Sequence, residues 1–304
     1  MNVAEVEGGC GIERGMVNGH ETAGWRAELE LVAVKSGGQT VLMRSRHLGP
    51  LRVQRPFIEE SGACQVYVLH PPGGIVGGDT LAVQVCATRR ANLLLTTPGA
   101  GKFYRSTGKL AEQGLRLRVE AGSSVEWLPQ ESIVFDGAVA ASRSRIDLVG
   151  DAQVIWWEVT CLGRPASGEQ FTRGAFSQSL ELFHEGRPLL LERSRCLGGE
   201  PALAAAWGYQ GQPVFATLVA HPVAPSALPA VRALLEAQTL GSNERLGVTL
   251  LPVASSGSAA ATTLVCRYLG PSATRAKHLF TLLWEHLRGL VVGLKAGVPR
   301  VWHT

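Results

Sequence analysis

Short segments that alternate apolar and polar residues, separated by glycine, proline, aspartate and serine, dominate this chain. In one of them Leu115, Leu117 and Val119 alternate with charged residues, a period of two that is typical of a half-buried β-strand. The other segments of this kind are Ala27–Lys35, Leu81–Cys86, Ser144–Leu148, Gln153–Thr160, Phe176–Phe183, Val214–Ala220 and Thr262–Tyr268. Strands do not alternate with helices, which argues against Rossmann and TIM-barrel folds. The pattern predicts a mainly β protein.

Two helices are predicted late in the chain. Residues 273–290 have the spacing of three, four and seven positions that places apolar side chains on one helix face. That face comprises Ala276, Leu279, Phe280, Leu283, Leu287 and Leu290. A shorter helix is predicted near residues 226–235, with Ser226 as its N-cap and Pro229 close to its start. We expect the longer helix to pack on the β core rather than to present an exposed docking face.

The domain organisation is predicted to be simple. The first 24 residues have no hydrophobic period and many glycines, which is typical of a mobile arm. The remainder, residues 25–304, is long enough to bury a full core and is predicted to form a single domain. Only 18% of the residues are charged, and a weakly charged surface favours a protein with an obligate partner.

Composition argues against several functional classes. The net charge of +4 is small and dispersed, so nucleic acid is not an expected partner. No apolar run approaches the ~18 residues of a membrane span, and the first residues lack the regions of a signal peptide, so a cytoplasmic protein is predicted. The 6 cysteines and 8 histidines are scattered, without the close pairs of a zinc site.

A shaped turn, His70-Pro-Pro-Gly-Gly-Ile-Val-Gly-Gly-Asp79, lies between two predicted strands. Glycine reaches backbone angles barred to other residues, and a Pro-Pro pair holds the chain extended. The turn therefore presents Asp79 at the start of the following strand. A nearby segment, Gly99–Lys102, is only superficially similar to a phosphate-binding loop, because its glycine spacing is wrong and Phe103 replaces the required Ser or Thr. Recognisable catalytic constellations are mostly absent from the chain.

Several charged residues stand in unusually apolar surroundings. Glu131 and Asp136 lie in the segment Trp127–Asp136, and Arg164 and Glu169 lie in a glycine-pinched loop after a Trp-Trp pair. Two further cations, Lys102 and Arg105, flank a Phe-Tyr pair. Carboxylates in such surroundings are usually ion-paired or bound to metal. Ion pairing of Glu169 or Glu131 with Arg164 or Arg105 is therefore one hypothesis, and contact with a metal ion is the other.

These segments carry a family resemblance. His70–Asp79 resembles the P-P-G-G-x-x-x-G-D signature of the urease accessory protein D family, UreD, called UreH in some systems. Further blocks in the same order are Leu95–Ser106, Val125–Gly137, Leu162–Phe171 and the ending Pro299–Thr304. The resemblance runs from about residue 26 to the end of the chain. It departs from the family at residues 99–101, Gly-Ala-Gly, where bulkier residues are common.

The resemblance implies a fold and a role without catalytic turnover. The family fold is a β-helicoid of stacked strands with a few helices. Its members are scaffolds in urease maturation that bind the urease apoprotein and the accessory protein UreF, with the GTPase UreG docked through UreF. Nickel is thought to pass through the scaffold to the urease active site, so the implied metal is in transit and no cofactor is tightly bound. A dimer within the accessory complex is left open.

Transit of an ion requires weak, spaced ligands, so that the ion leaves as readily as it enters. We therefore hypothesise that some of Asp79, Glu131, Asp136 and Glu169 line a water-filled passage, supported by Lys102, Arg105 and Arg164. Two alternatives remain. One is a metal-independent chaperone that holds urease open, and the other is a β-fold hydrolase or lyase that uses Glu131 or Glu169 as acid or base.

Overall fold

The computed structural model describes residues 24–252 and 262–303. The chain is mainly β, with 50% strand and 15% helix, as the alternating pattern predicts. The predicted arm falls outside the described residues except for Gly24. In chain order the strands are β1 (Arg26–Ser36), β2 (Gln39–Leu48), β3 (Arg52–Val53), β4 (Phe57–Ile58), β5 (Cys64–Leu69), β6 (Thr80–Thr88), β7 (Asn92–Thr96), β8 (Gly101–Phe103), β9 (Ala111–Val119), β10 (Ser124–Trp127), β11 (Ser132–Val134), β12 (Val139–Leu148), β13 (Gln153–Leu162), β14 (Ala175–His184), β15 (Arg187–Leu197), β16 (Val214–Val223), β17 (Arg245–Pro252) and β18 (Thr262–Gly270).

These strands form two sheets. The first sheet has the order β15-β14-β12-β9-β6-β1-β2, and the second has the order β17-β18-β16-β13-β10-β7-β5-β3. Strand β4 pairs with β5, while β11 bridges β8 and β13. Neighbours in the middle of both sheets are parallel: β1, β6, β9, β12 and β14 in the first sheet, and β5, β7, β10 and β13 in the second.

The parallel strands form a coil, because the chain crosses from one sheet to the other after almost every strand. The path from β5 to β6, β7, β9, β10, β12, β13 and β14 alternates between the second and first sheets. The result is a β-solenoid of about 4 turns, which confirms the predicted β-helicoid. Antiparallel pairs, β1–β2 and β14–β15, complete the two edges of the first sheet.

The two faces of the first sheet differ as the period of two predicts. Leu115, Leu117 and Val119 are buried in the core between the sheets. The outward positions carry cross-strand ion pairs, of which Arg145 on β12 with Glu181 on β14, at 3.4 Å between Nη1 and Oε2, is an example. The outer face of this sheet is therefore a solvated surface, and its apolar face closes the interior of the coil.

The two longer helices of the described residues lie against the other sheet. In chain order the helices are α1 (Pro201–Ala204), α2 (Leu228–Glu236) and α3 (Ala273–Val291), with short 3-10 turns at Pro165–Ser167, Pro225–Ala227 and Arg300–His303. Ser272 is the N-cap of helix α3, and its side-chain oxygen accepts a hydrogen bond from the N–H of Arg275 at 3.2 Å. Its apolar face packs on the outer face of the second sheet and forms a second core, which confirms the expected packing.

Two details of the helix predictions are wrong. Ser226 does not cap α2, because it lies within a 3-10 turn and the helix follows directly from Ala227 without a side-chain cap. Leu290 does not belong to the buried face of α3, since it is 56% exposed. Toward its C-terminal end the buried face of the helix includes Trp284 and Arg288, whose side chains donate hydrogen bonds to the carboxylate of Glu126. Leu290 lies outside this face. Among the described residues, no helix is long and apolar enough to cross a membrane.

Candidate functional site

A cavity of about 450 Å³ lies inside the coil, with both sheets contributing to its wall. Two of the segments singled out in the sequence form part of that wall: the turn residues from His70 to Ile75, and the loop from Thr97 to Lys102. The polar side chains of the wall are His70, Thr97, Lys102, Gln113, Gln130, Ser132 and Glu158. The cavity is thus a partly polar space within an otherwise apolar core.

Asp79 holds the turn over this cavity. Its carboxylate accepts the backbone N–H of Trp25 at 2.8 Å and of Val76 at 3.1 Å. Gly78 has a φ of +102°, and a Cβ at Gly24 would lie 2.2 Å from the carbonyl carbon of Gly78, so only glycines allow this approach. The predicted position of Asp79 at the head of a strand is confirmed, and the structure gives its carboxylate a bracing role.

The turn and the neighbouring loop are joined by backbone hydrogen bonds. The N–H of Ile75 donates to the carbonyl of Lys102 at 2.7 Å, and the N–H of Gly101 donates to the carbonyl of Glu131 at 2.9 Å. His70 lines the cavity as well, and burial lowers the pKa of its imidazole despite the opposing charge of Asp79. At neutral pH this ring is therefore uncharged.

Glu158 is the residue that the sequence analysis missed. It lies on β13, and its side chain points into the coil like those of Val154 and Trp156 on the same strand. The carboxylate accepts hydrogen bonds from Ser144 Oγ at 2.9 Å, from Ser142 Oγ at 3.4 Å and from Gln178 Nε2. A charged residue at the inward position of a strand with buried tryptophans is the signal that could have identified it.

The side chain of Glu158 is largely enclosed by protein but borders a cavity. Burial raises the pKa of its carboxyl to about 6, although the three hydrogen bonds oppose that shift. The side chain nevertheless keeps some accessible surface, because it borders the cavity beneath the turn. Its hydrogen-bond partner Gln178 lines a second cavity of about 580 Å³. The hydrogen bond between Glu158 and Gln178 therefore joins a residue that lines the first cavity to a residue that lines the second.

Asp136 and Glu169 are brought together by the structure. The N–H of Asp136 donates to Glu169 Oε1 at 3.0 Å. The Asp136 carboxylate accepts bonds from the backbone N–H of Thr172 at 2.7 Å and of Arg173 at 2.9 Å, and it pairs with the Arg173 guanidinium at 3.0 Å. Desolvation acts to raise the pKa of Asp136, but these hydrogen bonds prevail and lower it to about 2.

The predicted cations Arg164 and Arg105 belong to the same cluster. Arg164 pairs with Glu169 at 2.5 Å and lies over the ring of Phe135, while Arg105 Nε donates to the carbonyl of Asp136 at 3.3 Å. The hydrogen bond from Arg164 is the main reason why the pKa of Glu169 is lowered. The predicted ion pair of Glu169 with Arg164 is confirmed.

Glu131 pairs with a different partner from those predicted. Its carboxylate lies 2.7 Å from Lys277 Nζ on α3, rather than beside Arg164 or Arg105. This pairing could not be found from nearby residues, because 146 positions separate the two in sequence. Asp79, Glu131, Asp136 and Glu169 all lie outside the residues that line the two cavities. Within the described ranges, no group of three or more His, Cys, Asp or Glu side chains is placed to hold a metal ion.

A second buried glutamate lies on the opposite face of the second sheet. Glu126 on β10 accepts bonds from Arg288 Nε at 2.9 Å and Trp284 Nε1 at 2.5 Å, both on α3. Arg288 is fully buried and also reaches Glu59 at 2.8 Å and the carbonyl of Lys295. Burial raises the pKa of the Glu126 carboxyl, against the charge of Arg288. We call these residues the C-terminal clasp, because they attach α3 to the coil.

The fold and its interior define the class of protein. It is a β-solenoid whose sheets enclose a partly polar space, with helices attached on one side. The family model described as UreD urease accessory protein matches residues 25–303. The chain therefore belongs to the UreD family of urease accessory proteins, and the resemblance found in its motifs is confirmed.

Curated relatives agree with this assignment. Urease accessory protein UreD 2 of Brucella anthropi is 43% identical over 287 residues, which cover 93% of this chain and 100% of the relative. Urease accessory protein UreD of Pseudomonas fluorescens is 43% identical and covers 93% of this chain and 96% of the relative. The protein of the same name from Pseudomonas putida is 44% identical, with 93% and 95% covered.

Proposed function

We propose that this protein is a cytoplasmic scaffold for urease maturation that conducts nickel to the urease active site. It binds the urease apoprotein and UreF, and UreG docks through UreF. The observation that supports the proposal best is the partly polar interior of the coil, where Glu158 lines one cavity and its hydrogen-bond partner Gln178 lines another. Carboxylate, hydroxyl and amide oxygens hold a divalent ion more weakly than clustered imidazoles or thiolates, as transit requires.

In this proposal the four predicted carboxylates, Asp79, Glu131, Asp136 and Glu169, lie near the passage but do not line it. Asp79 keeps the turn closed over one cavity, and Glu131 lies between two residues of its wall, Gln130 and Ser132. Asp136 and Glu169 form a charged cluster with Arg164. Nickel is cargo in this proposal, and no cofactor remains bound.

An enzymatic role for Glu131 or Glu169 is less well supported. A general acid at neutral pH requires a raised pKa, whereas hydrogen bonds lower that of Glu169. Glu131 forms an ion pair with Lys277 at 2.7 Å, so its carboxylate is already engaged by a cation of this chain. The metal-independent chaperone remains the competing function, and the experiment below separates it from the scaffold that conducts nickel.

The test combines a pull-down against urease apoprotein and UreF with an assay of nickel-dependent urease activation. Glu169→Gln removes one charge of the cluster, and Glu181→Gln is its matched control, since Glu181 pairs with Arg145 on the solvated face. We expect Glu169→Gln to retain both partners and to lower activation several-fold, while the control behaves like the wild type.

Two results would contradict the proposal. If the wild-type protein binds neither urease apoprotein nor UreF, the proposed scaffold function is rejected. Full activation by Glu169→Gln, together with full activation by Asp79→Asn, would favour the metal-independent chaperone. Thermal unfolding of each variant shows whether lowered activation reflects a damaged fold.

A further inference from the structure

Strand β17 ends the second sheet with an edge that has no partner strand among the described residues. It pairs only with β18, and no backbone hydrogen bond outside that pairing involves its residues, Arg245–Pro252. An unpaired edge presents a row of N–H and C=O groups to which another extended chain can bind. With 8 residues, the edge is long enough to pair with a strand of ordinary length.

Open space flanks this edge on both faces of the sheet. On the helix side, a groove of about 420 Å³ lies between β17 and α2. On the interior side, the cavity of about 580 Å³ borders the same strand. Leu246 and Gly247 line both spaces, and a Cβ at Gly247 would meet no described heavy atom within 4 Å beyond its chain neighbours. The side chains of an added strand point to the two faces in turn, so they would enter the groove and the cavity alternately.

The groove on the helix side is apolar at its base. Leu246 and Val248 of β17 and Leu235 of α2 belong to the core beneath the helices. The charged residues of the groove, Arg232 and Glu236, are exposed on α2 and have opposite signs. The side chains that enter this groove should therefore be apolar, because they would cover apolar surface.

The cavity on the interior side has one unbalanced positive charge. Its wall holds two guanidinium groups and one carboxylate, and that carboxylate, of Glu192, already pairs with Arg267 at 2.7 Å. The other guanidinium, of Arg245, donates from Nη1 to two backbone carbonyls and has no carboxylate partner among the described residues. The buried indole N–H of Trp156 borders the same cavity, and no acceptor in the described part of the chain bonds to it. A carboxylate from another molecule would supply the missing charge and a missing acceptor.

We propose that the edge of β17 binds an extended segment of a partner protein in which apolar residues and glutamates alternate. The backbone of this segment pairs with β17. Its apolar side chains enter the groove beside α2, and its glutamates enter the cavity toward Arg245. Main-chain hydrogen bonds supply affinity in this binding mode, and the two spaces supply specificity. The docking surface does not depend on the proposed conduction of nickel.

The first test measures binding of a fluorescein-labelled peptide, Thr-Leu-Glu-Leu-Glu-Leu-Thr, to the purified full chain by fluorescence anisotropy. Methyl groups on the leucine nitrogens block one edge of the peptide, and methyl groups on the glutamate nitrogens block the other. We expect one methylated peptide to lose at least about tenfold in affinity, and the other to bind like the parent peptide. Equal affinities of the two methylated peptides would overturn strand addition.

The second test places the peptide on β17. Gly247→Glu puts a negative charge beside the glutamates of the peptide, and like charges on neighbouring strands repel. Gly289→Glu is the matched control, because Gly289 is exposed on α3 and also has open space at its Cβ. We expect Gly247→Glu to weaken binding about fivefold and the control to retain it. A peptide with glutamine in place of glutamate should bind the wild type more weakly, whereas Arg245→Gln should bind both peptides equally.

Three results would overturn the proposal. The first is equal affinity of the peptide for the wild type and for Gly247→Glu, when circular dichroism shows both to be folded. The second is a glutamine peptide that binds the wild type as tightly as the glutamate peptide. The third is a wild-type dimer in sedimentation that Gly247→Glu dissociates, since it would assign this edge to a second copy of the chain. If Gly247→Glu does not fold, the methylated peptides still decide the question on the wild type.

Discussion

Glu126 and Glu158 are both enclosed glutamates on neighbouring strands of the second sheet, yet their surroundings are opposite. Glu126 faces α3 and meets the buried guanidinium of Arg288, whereas Glu158 faces the interior and meets only neutral donors. A carboxylate that is paired with a fixed cation of the same chain has a structural role, because the pair leaves neither space nor free charge for a ligand. The difference teaches that pairing, rather than burial, distinguishes a structural carboxylate from one that is available for binding.

The first prediction breaks the comparison by making Glu126 resemble Glu158. Arg288→Ala removes the cation and leaves two carboxylates, Glu126 and Glu59, without their partner. We expect a loss of about 3–5 kcal/mol in the free energy of unfolding, measured by urea denaturation, since breaking a buried pair strands a charge. Arg193→Ala on β15 is the control, because Arg193 is largely exposed in its pair with Glu181 at 3.5 Å, and such a pair is worth less than about 1 kcal/mol. Equal losses would show that the clasp has no special role.

The second prediction sharpens the comparison through pH. The folded state raises the pKa of Glu158 from 4.5 to about 6, so the native protein binds the proton more tightly than the unfolded chain. The contribution of this tighter proton binding to the free energy of unfolding is fully present below pH 4.5. It is lost as pH rises through 6, and the loss amounts to about 2 kcal/mol. Glu158→Gln should lack this decline. The unfolding free energy of the variant should therefore increase relative to that of the wild type between pH 4.5 and 7. Parallel pH profiles of the two proteins would contradict the prediction.

The third prediction extends the comparison to a carboxylate whose cationic partner is exposed to solvent. The pKa of Asp136 is lowered from 3.8 to about 2, so its stabilisation is present above pH 3.8 and is lost as pH falls toward 2. Asp136→Asn should cost about 1 kcal/mol at neutral pH, because its partner Arg173 is largely exposed and water screens the pair. Thermal melts at pH 7 and pH 3 measure the effect, and a loss that does not shrink at pH 3 would exclude an electrostatic origin.

Much of the fold could be predicted from local patterns. The alternation at Leu115, Leu117 and Val119 correctly predicts a strand with its apolar face inward, and the spacing over residues 273–290 predicts the C-terminal helix. Parallel pairing could not be derived in this way. Period two is the same in parallel and antiparallel strands, so the β-helicoid was expected only through the family resemblance.

The site was predictable only in part. Arg164 and Glu169 lie five positions apart in one loop, so their pairing could be inferred from the sequence. Glu131 could not be assigned to Lys277, because helix packing brings that lysine to it. Glu158 was passed over, since its donors Ser144 and Gln178 come from two strands of the other sheet.

The sequence by itself determined the strands, the C-terminal helix, the turn from His70 to Asp79 and the family. These features depend on local periodicity, on glycine conformation and on ordered motifs, all of which are properties of short segments. Only the tertiary structure decided which carboxylates have a cationic partner and which of them border a cavity. Electrostatic pairing and burial depend on distances between remote segments, and a coil of two facing sheets sets those distances.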